Sequence, residues 1–314
     1  MDNSIDLNAL RVFERVAANG SFTAAARHFH VAVSSVSRQI SALEASLGVR
    51  LLYRHTRAVS LTDAGRQYYE QIRGTLEQLD HATEALTDPG AEPAGTLRIN
   101  APVAFGQRRI LPLLNAFQRC YPAVKAELLL TDEVTDPVRE GSDITFRVGE
   151  LSDSSLVARP LAPMNYVTAA SPAYLARRGT PNEPQDLFEH DCLLYQGEMG
   201  RQRWYFRGDG EARATALGLS GSLYSNDAES LLQAALLGQG IVMFPTWLIG
   251  ELLQEHRLVP LLEEWQCEVA PQRRMIHLLT TEGRQRSHKV QAFIDHLMSA
   301  VDPVPPWDRW REAP

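Results

Sequence analysis

Apolar positions Leu7, Leu10, Phe13, Val16 and Ala17 recur at helical spacing, with Asp6 placed to cap the first turn and Asn19-Gly20 placed to stop the helix. A second, alanine-rich helix is predicted from Phe22 to Phe29 after Ser21, with Ala25, Ala26 and Phe29 available for close packing. Beyond a break at His30-Val31, the positions Val36, Ile40, Leu43 and Leu47 step by four, three and four, and Gly48 should end a third helix there. The stretch VRLLYRHTRAVSLT carries two short β-prone runs around His55-Thr56-Arg57, the pattern of a hairpin wing. Thr62 then opens a run without proline until Pro89. In it Tyr69, Ile72, Leu76, Leu79, Thr83 and Leu86 form an a/d stripe suited to pairing with a second copy of the helix.

The stretch TDPGAEPAG, residues 87 to 95, marks a boundary. Past it, apolar strand-like runs alternate with helical ones: TLRINA, GQRRILPLLNAFQRCY, VKAELLLTD, a short helix and DITFRVG. A second set comprises NYVTAAS, a short helix from Pro172, CLLY, WYF, LSGSLYS, the helix of DAESLLQAALLGQ and GIVMF. MIHLLTT and a final helix close the series. Alternation of this kind implies parallel βαβ units. The predicted organisation is an N-terminal winged helix-turn-helix domain over 6–62, with its helix-turn-helix motif at 22–41, and a linker helix over 63–88. A two-lobed α/β domain follows over 93–300. Lobe I spans about 95–163 and 275–300 and lobe II about 164–266, with crossings near 163–170 and 266–275. The tail PVPPWDRWREAP, within 301–314, reads as irregular with exposed tryptophans.

Charge sharpens this division. The chain of 314 residues has a formal charge of −7, which taken whole argues against nucleic acid. Residues 1–62, however, hold seven arginines and four acids, a balance of +3, and the remainder carries −10. A small basic head sits on a large acidic body. With Val36 and Ile40 turned inward, Ser34, Ser35, Arg38 and Gln39 lie on the outer side of the third helix, where hydroxyls and a bidentate guanidinium meet base edges and phosphates. Thr23, Val33 and Ser37 complete the expected reading surface; Val33 is suited to a thymine methyl. Arg54, His55, Thr56 and Arg57 on the wing would lie over the phosphate backbone.

Other classes find little support. No run of 18 apolar residues is present, and MDNSIDLNAL has neither a basic start nor an apolar core, so no membrane contact is expected and the cytoplasm is the expected compartment. Nine histidines occur without HExxH, and neither GxSxG nor GxGxxG appears, so no enzyme, metal or cofactor is expected. Cys120, Cys192 and Cys267 are scattered without a CxxC pair and read as reduced thiols, with a redox sensor as the alternative.

The elements GSFTAAA, VSRQI, LE..LG..L, R.TR and LT.AG, in that order and spacing, resemble the DNA-binding domain of LysR-type transcriptional regulators. GTLRINAPVAFG, ILPLL..F...YP, ASPAYLARRGTP and SND.E.LL.AAL.G.GI...P.WL are similar to the CrgA-like subgroup of that family. The resemblance covers residues 6 to about 300. It implies a sensor domain like type 2 periplasmic binding proteins, a small-molecule effector between its lobes, and double-stranded DNA with paired half-sites as a partner. A dimer, or a tetramer built from two dimers, is implied too, with RNA polymerase as a further candidate partner. One departure is Ala32-Val33-Ser34 at the start of the recognition helix, which lacks the usual capping hydroxyl, a loss of about 1 kcal/mol.

The crevice beyond the strand ends offers three expected walls. Pro102, Val103, Ala104 and Phe105 open a helix whose N–H groups favour an anion. Arg147 and Val148 end a strand, Arg147 being either a structural ion-pair partner or an effector ligand. Tyr195, Gln196, Asn226, Asp227, Phe244 and Pro245 form the far wall, where Asp227 either caps the next helix or faces a cation. The aromatic rings favour an apolar effector carrying one anionic group.

Overall fold

In a computed structural model of the protein the described residues are 5–55, 58–87, 92–133, 137, 140–149, 156–197, 200–285, 287–301 and 303–311. The chain divides into two compact units. The first comprises Met1–Glu92, Thr135–Asp143 and Thr281–Val290, and the second the remainder.

The first unit opens with α1 (Leu7–Asn19), α2 (Phe22–His28) and α3 (Val33–Leu47), followed by β1 (Leu52–His55), β2 (Ala58–Leu61) and α4 (Asp63–Thr87). Asp6 caps α1 through Asn8 N, and Ser21 caps α2 through Ala24 N. Ala32 supplies no side-chain cap to α3. The turn between α2 and α3 passes through His30 at φ 54°, a left-handed conformation that histidine tolerates better than most residues. Phe13, Val16, Ala25, Val36, Ile40 and Leu51 are almost wholly buried in one core, each large side chain contributing about 1.5–3 kcal/mol. Leu7 departs from the expected stripe: it is 42% exposed, because it lies six residues before Phe13 and so off that face, and Ala9 takes the first-turn core position.

The wing is a two-stranded antiparallel hairpin with Leu52 opposite Leu61. Its root is held by Glu44, whose Oε1 accepts from Leu51 N at 2.9 Å and Leu52 N at 3.1 Å. Thr62 Oγ1 donates to Arg50 O at 2.8 Å and accepts from Gly65 N at 2.9 Å, so it caps α4 and binds the wing at once. Only glycine fits at 65, since a Cβ there would collide with the Leu51 carbonyl. In the same unit Arg284 pairs with Asp143 at 2.6 Å and also donates to Gly141 O, while Lys289 stands 3.6 Å from the same carboxylate; all three charged side chains are buried.

The second unit continues with β3 (Gly95–Ala101), α5 (Val103–Phe105), a π turn at Gly106–Ile110, α6 (Leu111–Cys120), β4 (Val124–Leu130), β5 (Ile144–Val148) and β6 (Val157–Pro163). Next come β7 (Tyr166–Ala170), α7 (Pro172–Arg178), β8 (Leu193–Gly197), β9 (Gly200–Arg201), β10 (Trp204–Arg207), β11 (Thr215–Leu217) and β12 (Leu223–Ser225). The chain proceeds through α8 (Ala228–Leu236), β13 (Val242–Pro245), α9 (Thr246–Gln254), β14 (Val259–Leu261), β15 (Gln266–Glu268) and β16 (Met275–Thr280). Finally α10 (Glu282–Gln285) lies in the first unit, and α11 (His288–Val301) runs from it into the second.

Lobe I is the sheet β4-β3-β5-β16-β6, with β3 parallel to β4 and β5 and the last two strands antiparallel. Lobe II holds the sheet β11-β10-β15-β7-β13, with β14 beside β7, and the smaller sheet β12-β8-β9. The expected parallel units therefore hold for only part of the domain. In lobe II only β8 and β12 pair in parallel among the described strands, and the larger sheet is antiparallel throughout. Short strands joined by tight turns such as Asp209-Gly210 reverse direction without the crossover helix that parallel pairing needs. At the crossings Cys267 pairs with Tyr166, and Arg273 donates to Asn165 Oδ1 at 2.6 Å.

The tail corrects a second expectation. Trp307 starts no irregular exposed segment: it is 5% exposed and lies in a short 3-10 turn, Pro306–Asp308. Its ring meets Phe105 edge to face at 6.3 Å, and its carbonyl lies so close to α9 that a Cβ at Gly250 would come within 2.5 Å. Thr246 Oγ1 donates to Asp308 Oδ1 at 2.5 Å. Tryptophan among prolines buries a large apolar surface at little entropic cost, which is why a short tail can dock.

Candidate functional site

On α3, Val33, Ser34 and Arg38 are exposed, Ser35, Ser37 and Gln39 are half-buried, and Thr23 is exposed on α2. The inward stripe of Val36, Ile40 and Leu43 turns Ser34 and Arg38 outward, since each lies two places from a stripe position and so on the far side of the helix. Arg38 Nη2 approaches Ser35 Oγ at 3.4 Å, which holds the guanidinium along the helix surface. Gln39 Oε1 is buried and has no hydrogen-bond partner among the described residues. Arg54 and His55 belong to β1, although their side chains lie outside the described part, as do Thr56 and Arg57.

The stripe on α4 does not remain available as a whole. Ile72 is 7% exposed because it joins the core beneath α1 and α3, with Tyr69 packed against it, and Leu76 is buried at 6%. Those positions are satisfied within one chain, so Ile72 and Leu76 are corrected from seam to core. Leu79 is 40% exposed; the side chains of Thr83 and Leu86 lie outside the described part.

Among the sensor walls, Pro102, Val103 and Ala104 are half-buried, but Phe105 is wholly buried. Its ring meets Phe146, Trp247 and Trp307, so Phe105 backs the wall rather than lining it. Phe244 and Pro245 are likewise buried, on β13, which pairs with β7 at the end of the larger sheet. Arg147 and Val148 are half-buried on β5, opposite His277 and Ile276. Tyr195 is half-buried; Gln196, Asn226 and Asp227 are exposed.

Electrostatics reverses the expected sign at the first wall. The open N–H of Val103 is already occupied, donating to Asp132 Oδ1 at 3.1 Å. Asp227 caps α8 through Glu229 N at 3.3 Å and Ser230 N at 3.0 Å, and the Ser230 hydroxyl with these bonds holds its carboxyl below the ordinary carboxylate range. Burial raises the Tyr195 phenol, and the charges of Asp132 and Asp227 raise it further. Asp132 of lobe I and Asp227 of lobe II thus both act on Tyr195.

Two arginines absent from the expected site join the lobes. Pro112 has no N–H for the helix ladder and its ring crowds the preceding turn, and the chain answers with the π turn just before α6. From that turn Arg108 grips Glu229 of α8 in a fork, with Nε–Oε2 at 3.0 Å and Nη2–Oε1 at 2.7 Å. Arg109 donates to Trp247 O at 2.7 Å, pairs with Glu251 at 2.8 Å and stacks over Trp307 at 5.5 Å. Consecutive Arg-Arg before a helical proline was the available signal; nothing local named Glu229 or Glu251.

The three cysteines are free thiols. Burial pushes the Cys192 thiol up to about 12 and raises that of Cys267, which keeps both in the unreactive protonated form. Among the described residues no group of three or more His, Cys, Asp or Glu side chains could hold a metal ion, and no helix is long and apolar enough to cross a membrane.

This geometry agrees with known proteins. Residues 7–66 match the family described as a bacterial regulatory helix-turn-helix protein, lysR family, and residues 90–302 match the LysR substrate binding domain. An uncharacterised HTH-type transcriptional regulator of Haemophilus influenzae is 34% identical, covering 90% of this chain and 96% of that protein. The HTH-type transcriptional activator AaeR of Escherichia coli is 35% identical over 93% and 92% of the respective chains. Among solved structures, full-length AphB, a virulence activator of Vibrio cholerae, has 31% identity and TM-score 0.58, covering 94% of this chain and 99% of that one. CrgA of Neisseria meningitidis has 29% identity and TM-score 0.58, with 95% and 99% covered. The class is thus a DNA-binding transcriptional regulator with an effector-binding domain. The chain belongs to the LysR family.

Proposed function

We propose that two chains pair and set their α3 helices into successive major-groove half-sites, with Val33, Ser34, Ser35, Arg38 and Gln39 meeting base edges. Ser37 and Thr23, together with the wing residues Arg54, His55, Thr56 and Arg57, contact phosphates. The observation that carries this reading is the exposed polar face of α3 beside a wing root fastened by Glu44. The pairing seam uses Leu79 and continues through Thr83 and Leu86, since Ile72 and Leu76 are already spent on the chain's own core. Dimers assemble into a tetramer, and contact with RNA polymerase turns occupancy into output. The protein works in the cytoplasm by binding alone, without a catalytic step.

The effector is a small molecule held between the lobes among Val103, Ala104, Arg147, Val148, Tyr195, Gln196 and Asn226. With Asp132 and Asp227 acting on Tyr195, a neutral or cationic group belongs at that end. Occupancy changes lobe closure, which the Arg108–Glu229 fork restrains, and so changes the placement of the DNA-binding heads.

Binding measured on cognate and random duplexes across salt concentrations tests the DNA half. Arg38→Ala should cost about 1–3 kcal/mol on the cognate site and relax its sequence preference, while Arg57→Ala should weaken all duplexes and lower the salt slope by about one unit. Equal losses on both duplexes for Arg38→Ala would remove it from the base-reading set. Ligands that change promoter output without shifting the melting temperature of the full chain would overturn the effector half.

A further inference from the structure

Lobe II contains a cavity of about 480 Å³ outside the expected effector walls, Gln196 being the only residue shared with them. That volume lies within the range of small-molecule sites. Its basic side comes from Arg201, which ends β9, and Arg203, two places on; both line the cavity together with Gln202. The β8–β9 hairpin fixes their height. Gln196 pairs with Arg201, and Gln202 N donates to Tyr195 O at 2.9 Å. Trp204, next in the chain and 1% exposed, anchors the strand in the lobe II core.

Among the described residues no carboxylate pairs with either guanidinium. Arg201 lies over the Tyr224 ring at 4.1 Å, which orients the plane and leaves its N–H groups to donate elsewhere. Arg203 is exposed and forms no ion pair or hydrogen bond among the described residues. Among the described residues no acidic side chain lines the cavity. Leu217, paired with Trp204, and Leu219 line it as well; both belong to the lobe II core and present only an apolar edge to the cavity. Two guanidinium forks, two carboxamides and a leucine floor match an oxyanion attached to an apolar body. Placement is informative because the body of the protein is strongly acidic, whereas this cavity concentrates positive charge.

We propose that this cavity is a second ligand site, for a small organic carboxylate whose apolar part lies on Leu217 and Leu219 and whose carboxylate is held by Arg201 and Arg203. It shares only Gln196 with the effector residues, and Asp132 and Asp227, whose charges act on Tyr195, do not line it. Guanidinium forks also accept phosphate, but the leucine floor distinguishes the two sources: it rewards benzoate or octanoate and gives inorganic phosphate nothing.

Titration calorimetry on the full chain tests this with benzoate, octanoate and inorganic phosphate as probes. Benzoate or octanoate should bind saturably, and more tightly than phosphate. Arg203→Gln should weaken that binding about tenfold or more, whereas Asp132→Asn, beside Tyr195, should leave it unchanged. Gly218 lines the same cavity and has open space around its Cβ position, so Gly218→Phe should fill the cavity and abolish binding while the thermal transition and DNA binding persist. No saturable binding of either carboxylate, phosphate binding as tightly as both, or carboxylate binding retained in Arg203→Gln and Gly218→Phe would overturn the proposal. Failure of the crevice reading leaves these outcomes untouched, because they do not depend on promoter output.

Discussion

The DNA-reading head and the sensor use their polar residues in opposite ways. On α3 the exposed groups point outward around a compact apolar stripe, and only the weak Arg38–Ser35 contact engages the principal cation. In the sensor Arg108, Arg109, Asp132 and Asp227 are each committed to a partner inside the domain. A surface built to meet a large polyanion can leave its donors in water until the partner arrives. A two-lobed domain must hold its lobes together, and this one does so with charge pairs and caps that occupy many of the groups a ligand could have used.

That contrast can be broken at several points. The largest effect is expected from Arg284→Ala, which removes the 2.6 Å partner of the buried Asp143 carboxylate. Stripping one partner from a buried network costs about 3–5 kcal/mol, to be read from denaturant midpoints of the full chain. Trp307→Ala should cost about 3 kcal/mol by emptying the space against Phe105 and releasing Arg109. A melting temperature unchanged by that substitution would return the tail to the status of an exposed appendage. Arg108→Gln should lower stability by only about 1 kcal/mol, since the fork is roughly one-third exposed, yet it should enlarge the scattering radius of the sensor by freeing the lobes.

The smallest effect concerns pH. Burial raises Glu268, on a strand at the lobe crossing, to about 7, although Arg273, Arg207 and Arg274 pull it down. A carboxyl whose folded value lies above its unfolded one stabilises the protein in the protonated form. Its contribution is therefore full below the ordinary glutamate range and fades as pH rises through about 7. Glu268→Gln should flatten stability against pH across that window. Unaltered pH dependence would place the titration elsewhere.

Much of the head was legible before any coordinates. Asp6, Ser21, Thr62 and the glycines at 20 and 48 act at the positions their chemistry implied, because caps and left-handed turns depend on near neighbours. The stripe on α4 was legible as a stripe but not as to its occupant: Ile72 has the same spacing whether it meets another chain or its own core. Strand positions in the sensor were largely evident from apolar runs, while their directions in lobe II were not, since a run of three to five residues says nothing about which way its neighbour travels. Phe105 illustrates the remaining loss. As an aromatic residue at a strand exit it reads as a pocket wall, and only the docking of Trp307, some two hundred residues later, shows it to be filled in behind.

By itself, then, the sequence determined what short-range chemistry can encode: helix starts and stops, the outward face of α3, the family and the uneven distribution of charge. Tertiary structure alone decided which charges are still available. Asp132 reaches Val103, Arg108 reaches Glu229 and Trp307 reaches Phe105 only because separate strands and helices converge, whereas Arg203 meets no acid among the described residues. Whether a charge binds a ligand or a neighbour depends on distances across the fold, and those carry no mark in the local pattern of residues.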